Sequence, residues 1–316
     1  MTSPAPSTKS GAKTGVAKTD VTKTDVTKAG VTETGMTETG AAETIDLARL
    51  AVLRQEIDRI DETMHKLLIE RSEIVSELIS VKGTQSSGQA FRPGREADMM
   101  RRLAARHRGI LPLDTAETIW RVIISTFTYV QAPYSVHADI SDGDAPMRDS
   151  ARFHFGFTAP YVPHAGPEAV IAAVAASAGD LGVFRPDSKA SASPWWEALR
   201  PVDAPKIIAR LPFIERPDHP AGIPLFVVSK PLEDAAVREI VLVAAWVERW
   251  REGAEAAIAT IGAEITGSSG MAGGLSMLIA MPGDMALETL RGALEEARLG
   301  GINLAEVGSH ARRFVL

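Results

Sequence analysis

MHKLLIERSEIVSELISVK, Met64 to Lys82, decides how the N-terminal part of this chain is read. Upstream, Leu50, Leu53, Ile57 and Ile60 lead into Met64 and Leu67 by steps of three and four, and Ile74, Leu78 and Val81 resume the pattern. Such a seam packs one helix against another. Arg71 stands where an apolar residue is due between Leu67 and Ile74. A guanidinium does not give up its charge, so its place on a core face demands an anionic partner. That partner is either a glutamate of the chain, in a structural ion pair, or a bound anion.

Working outward, the helix runs from about Ile45 to Lys82, where the polar stretch GTQSSGQAF stops it. Pro93 suits the first turn of a second helix reaching about His107, ended by Gly109 and Pro112. Asp114 and Glu117 resemble a capping box for a third, whose apolar face is Trp120, Ile123, Ile124, Phe127 and Val130. At about 1.5 Å per residue the first helix reaches about 57 Å. A compact domain of residues 45–135 is only about 30 Å across. The helix must overhang its own domain, and its seam stays wet unless another chain covers it, which predicts an intertwined homodimer.

Two further cations bear on Arg71. Lys82 lies one face-repeat further on, about 20° around the helix and about 16 Å along it, so the two side chains can grip one small polyanion between them. Arg54 is about 25 Å away on the other side and about 100° off that face, out of reach within one helix but within reach of a second copy's site in an antiparallel dimer.

The net charge of −6 argues against a nucleic-acid-binding surface. Residues 45–135 carry +1 (13 basic against 12 acidic) while residues 136–316 carry −7 (16 against 23), so the region holding Arg71 is the less acidic. There is no cysteine, which removes thiol chemistry and fits a reducing compartment. The seven histidines are scattered without ligand spacing, and no metal or other cofactor is expected. The start has no signal-like apolar core, and the longest apolar run, Ile240–Val247, is too short to span a bilayer. A cytoplasmic protein with no membrane partner is expected.

Residues 1–44 repeat a five-residue unit (KTGVA, KTDVT, KTDVT, KAGVT, ETGMT, ETGAA) whose period matches neither helix nor strand and predicts a disordered, solvated tail. Residues 136–150, VHADISDGDAPMRDS, have linker composition. Beyond them come RFHFGF, EAVIAAVAAS, DLGVF, PWWEAL, KIIARLPFI and PLFVVS, an α/β region over 151–234. Residues 235–316 spell strand-helix-strand twice, the order of a ferredoxin-like α+β module. GSSGMAGG, Gly267 to Gly274, lacks the Lys-Ser/Thr ending of a phosphate loop and reads as a turn between strands.

LRQEIDRIDETMHKLLIERSEIVSELISVK, followed by FRPGREADMMRRL, resembles the all-helical class of chorismate mutases over about 90 residues. The resemblance implies a dimer of three-helix protomers that rearranges chorismate, a dicarboxylate, to prephenate. Carried over residue by residue, Arg71 and Arg54 of the other copy bind the two carboxylates. Lys82 and Gln131 contact the ether oxygen, and Glu96, otherwise a solvated acid in a first helical turn, holds the ring hydroxyl. Arg95 reads as a surface or loop arginine. An intramolecular Claisen rearrangement needs no nucleophile, metal or proton shuttle, only a trapped reactive conformer and stabilised charge at one oxygen. Phe127 and Arg92 depart from the family pattern, standing where some members have a serine and an aspartate.

DLGVFRPDS resembles part of a prephenate dehydratase, and PGDMALETLRGALEEARLGGINLAEVGSH resembles strand-helix-strand of the regulatory module that follows it in fused enzymes. The dehydratase Thr-Arg-Phe motif is absent, with FVVSKP in its place, and residues 151–234 are too few for two lobes, so no dehydratase activity is expected. The half-module at 237–267 precedes its counterpart, as in a permuted regulatory module, for which an aromatic amino acid is the candidate effector. The expected function is therefore chorismate mutase. Two alternatives stand beside it: a non-catalytic metabolite-binding helical dimer whose C-terminal region recruits a partner, and a bifunctional mutase–prephenate dehydratase.

Overall fold

The structure is a computed structural model that describes residues 46–82, 90–187, 193–217, 219–231 and 237–315. The pentapeptide tail, the loop GTQSSGQ and the end of the RPDS run lie outside the described residues. Two units are distinguished, the described residues of the first being 46–59 and those of the second beginning at 60.

Helix α1 is Leu47–Lys82, two residues shorter at its start than the periodicity predicts. In the first unit Asp46 caps it by accepting the Arg49 N–H at 2.9 Å. Arg59 and Glu56 pair at 2.6 Å on the exposed surface, and Leu53 and Ile57 are also exposed. In the second unit Met64, Leu67, Ile74 and Val81 are exposed as well. The half-buried residues are Arg71, Val75, Leu78 and Ile79, so the covered face is turned away from Ile74 and Val81.

Helices α2 (Pro93–Arg106) and α3 (Leu113–Gln131) follow the predicted limits closely. Pro112, not Asp114, is the N-cap of α3, with no side-chain cap. The anticipated capping box fails because both acids are drawn to Arg216, Asp114 at 2.5 Å and Glu117 at 2.5 Å.

Residues 136–150 are not a linker. They form strand β1 (Val136–Asp139) and the start of helix α4 (Asp144–Phe155). The small and charged residues that read as linker are the turn and the exposed face of α4, whereas Val136, Ala138 and Met147 are buried. RFHFGF, expected as strand, ends α4 at Phe155, where Gly156 takes a positive φ of 75° that favours glycine. Strand β2 (Tyr161–His164), helix α5 (Pro167–Ala176), strand β3 (Leu181–Phe184) and a 3-10 turn at Trp195–Leu199 come next. Strands β4 (Lys206–Leu211), β5 (Ile214–Glu215) and β6 (Leu225–Ser229) complete the first half of the sheet.

The remainder is β7 (Ile240–Val247), α6 (Ala254–Thr260), β8 (Glu264–Met271), β9 (Gly274–Pro282), α7 (Leu287–Glu296), β10 (Asn303–His310) and the short β11 (Phe314–Val315). Strand-helix-strand occurs twice, as the sequence spells it. The glycine-rich run 267–274 is most of β8 and the tight turn into β9, where Met271 pairs with Gly274.

Nine strands make one sheet in the order β2-β1-β3-β6-β4-β10-β7-β9-β8, and β5 pairs with β11 apart from it. β1 is parallel to β2 and β3, with α4 and α5 as crossovers. The last four strands pair antiparallel. Parallel register also gathers histidines that are far apart in sequence. His137 Nδ1 meets His164 Nε2 at 2.8 Å and His137 Nε2 meets Asp180 at 3.1 Å. Among the described residues no cluster of three His, Cys, Asp or Glu could hold a metal, and no helix is long and apolar enough to cross a membrane.

The two halves of the sheet join where β10 runs parallel to β4, at Gly308 opposite Ile207. Gly308 has φ 148°, and a Cβ there would fall closer than 3.0 Å to Ile207 backbone atoms. Gly308→Ala is therefore expected to cost about 1–3 kcal/mol through backbone strain. Thermal unfolding would show it as a lowered melting temperature, and an unchanged one would mean the join is slack.

Helices α2 and α3 do not make a core of their own. Phe91, Met100, Leu103 and Ile124 belong to one buried cluster with Val136, Phe155, Leu211, Phe213 and Leu225 of the α/β region. The buried face of α3 is Ala116, Glu117, Arg121, Ile124, Ser125 and Thr128, rotated from the predicted apolar face, of which Val130 is exposed.

Candidate functional site

A cavity of about 110 Å³ lies where α1, α2 and α3 converge. Arg71 and Leu78 reach it from α1, Arg95, Glu96 and Met99 from α2, and Phe127, Thr128 and Gln131 from α3, with Arg92 at the α2 N-cap. Helical spacing puts these residues there: Arg71, Val75 and Leu78 share one face of α1, and Phe127 and Gln131 are one turn apart on α3.

Arg71 answers the question its sequence position raises. Its guanidinium lies over the Phe127 ring, 4.6 Å from the centroid, and its Nη1 is buried without a hydrogen-bond partner. Burial, and then the like charge of Arg95, push its pKa down from the ordinary arginine value. It nonetheless stays charged at neutral pH. Among the described residues no glutamate forms an ion pair with it, which leaves a cation without an acidic partner at the cavity.

Glu96 is 5% exposed and its Oε2 accepts from Arg121 Nη2 at 2.5 Å. Burial raises its carboxyl above the usual range and Arg121 opposes that shift. Glu96 is thus a buried, paired acid, not the solvated one that its first-turn position also allowed. Gln131 closes α3, its amide donating to the Phe127 carbonyl at 3.0 Å.

Three of the five predicted site residues, Arg71, Glu96 and Gln131, therefore line one cavity. Lys82 is the last residue of α1, and its side chain lies outside the described residues. Arg54 is exposed on α1 in the first unit. Sequence reasoning missed Arg95 as a lining residue. It is exposed, but one turn of α2 aims it at the cavity, and its place beside Glu96 was the available signal. Arg92 lines the cavity as well, so the departure noted in the sequence places a cation at its wall. With Glu96 paired to Arg121, three guanidinium groups dominate the cavity, an arrangement suited to a small anion carrying more than one negative charge.

Residues 53–132 match the family model described as chorismate mutase type II, so the resemblance drawn from the helical sequence holds over this segment. Among curated proteins, a bifunctional chorismate mutase/prephenate dehydratase of Pseudomonas aeruginosa is 29% identical over 143 residues, covering 44% of this chain and 39% of that protein. One of Neisseria gonorrhoeae is 30% identical over 106 residues, covering 34% and 28%. The chain thus spans well under half the length of these relatives. The solved prephenate dehydratase from Streptococcus mutans aligns with 58% of this chain and 98% of its own at 16% identity and a TM-score of 0.37.

Proposed function

We propose that this protein is a chorismate mutase, an isomerase that converts chorismate to prephenate on the way to phenylalanine and tyrosine. One observation carries this reading: Arg71, Glu96 and Gln131, from three different helices, meet at a cation-rich cavity inside the segment that matches chorismate mutase type II. In this mechanism Arg71 holds one carboxylate of the substrate, and Arg54 of a second copy holds the other. Lys82 and Gln131 donate to the ether oxygen as negative charge grows on it during C–O cleavage, and Glu96 accepts from the ring hydroxyl. Fixing both carboxylates selects the folded conformer, and donors set in place in advance stabilise the charge without reorganisation. Arg92 and Arg95 add positive potential at the cavity, Arg92 where some members of the resembled family have an aspartate.

The homodimer has its own support. The exposed Leu53, Ile57, Met64, Leu67 and Ile74 of α1 form an apolar row that a second copy would cover. A cavity of about 110 Å³ encloses only part of a substrate of this size, as expected of a site that a second copy completes. For residues 235–316, the paired strand-helix-strand units and the order β10-β7-β9-β8 support a ferredoxin-like module, and the aromatic amino acid effector rests on the sequence resemblance of this region to a regulatory module.

The test follows loss of chorismate with separated products, wild type beside Lys82→Ala. The expected result is prephenate without phenylpyruvate, with turnover lowered by about a hundredfold or more in the variant. Phenylpyruvate would establish the bifunctional enzyme that the relatives' names describe. A folded dimeric wild type without turnover would favour the non-catalytic binding protein.

A further inference from the structure

Arg121 is among the largest fully buried side chains of the described residues, and it sits on the face of α3 turned toward the α/β region. A lone buried guanidinium is costly, and its partners show what it is for. Its Nη2 donates to Glu96 Oε2 at 2.5 Å and, at 3.3 Å, to the His154 carbonyl at the end of α4. The Phe213 ring, just beyond β4, lies 5.4 Å from its guanidinium carbon. Its Nε and Nη1 have no hydrogen-bond partner, and neither ring nitrogen of the buried His154 beside it has one. Arg121 is therefore held by few contacts, of which the carboxylate of a cavity-lining residue is the strongest.

A second buried acid competes for it. Glu117 lies one turn earlier on α3 and is fully buried. Arg216, which follows β5 in the α/β region, takes that carboxylate at 2.5 Å and Asp114 at 2.5 Å. Two arginine–glutamate pairs thus stand side by side, and the one supplied by the α/β region leaves Arg121 to Glu96.

We propose that Arg121 is a positioning residue of the mutase site, fixing the charge and orientation of Glu96 at the cavity wall, and that the α/β region sets Arg121 through the His154 carbonyl, Phe213 and the Arg216–Glu117 pair. The C-terminal region is then part of the catalytic apparatus at one remove, whatever it binds itself. This rests on the proposed mutase function.

A double-mutant cycle on kcat/KM for chorismate tests it, using full-length wild type, Arg121→Gln, Glu96→Gln and the double variant. If Arg121 acts through Glu96, Arg121→Gln lowers kcat/KM by about tenfold or more in the wild-type background. In the Glu96→Gln background it should change kcat/KM by less than about threefold, because coupled residues are non-additive. Equal losses in both backgrounds would mean that Arg121 only supports the packing, and would overturn the proposal. If Arg121→Gln fails to fold, Arg121→Lys in the same two backgrounds keeps the charge but loses the planar fork, and the same comparison decides. Turnover in the wild type separates the two failures. An inactive wild type removes the mutase function and this role with it, whereas an active wild type with additive losses removes this role alone.

Discussion

Arg71→Met is expected to lower kcat/KM for chorismate by about a hundred- to a thousandfold while leaving the melting temperature unchanged or slightly raised. The two effects have one cause. Arg71 is half-buried over Phe127, its Nη1 has no partner, and the charge that bears on it, Arg95, has the same sign. Its charge therefore costs the folded protein free energy that only a bound anion returns. Methionine keeps much of the apolar stem against the ring and removes the charge. A structural ion pair would give the opposite pattern, a loss of stability with turnover intact. Steady-state kinetics and a thermal melt on one preparation distinguish the two.

A fragment of residues 46–132, the segment that resembles a whole chorismate mutase protomer, is expected not to fold cooperatively. Phe91, Met100, Leu103 and Ile124 would lose Val136, Phe155, Leu211 and Phe213, with which they share one core. Burying such a side chain contributes about 1.5–3 kcal/mol, so four of them amount to about 6–12 kcal/mol. That equals the whole stability of a typical domain, about 5–15 kcal/mol. Arg121 would also lose the His154 carbonyl and Phe213. Circular dichroism should show a broad, non-cooperative melt, with no turnover. A sharp transition with mutase activity would mean that the three helices fold without the sheet.

These two outcomes separate what kind of information the chain carries where. The elements were legible because local rules govern them. Period-3.6 apolar spacing marks α1, Pro93 opens α2, and alternating strand and helix signals mark β7 to β10. The glycine-rich run 267–274 lacked a phosphate-loop ending and is a hairpin. The candidate site was noticeable for a similar reason. Arg71 breaks an apolar seam, and a charge on such a face is an anomaly that needs no structure to be noticed.

Tertiary structure alone decided which face of each helix is covered. Residues 136–150 are rich in Asp, Gly and Pro, which local rules assign to a linker, yet Val136 and Ala138 are in a strand between two others. Arg121 is not singled out by the sequence and Glu117 reads as part of a capping box, because their partners, Glu96 and Arg216, come from distant parts of the chain. Their burial follows from pairing across the fold, an energy that no window of sequence contains. The sequence by itself determined that a cation sits in a helical seam and what chemistry it suits. The α/β region packed against α3 determined that Glu96 is buried, paired and tied through Arg121 to the C-terminal region, because buried charges are specified by long-range partners and apolar periodicity by near ones.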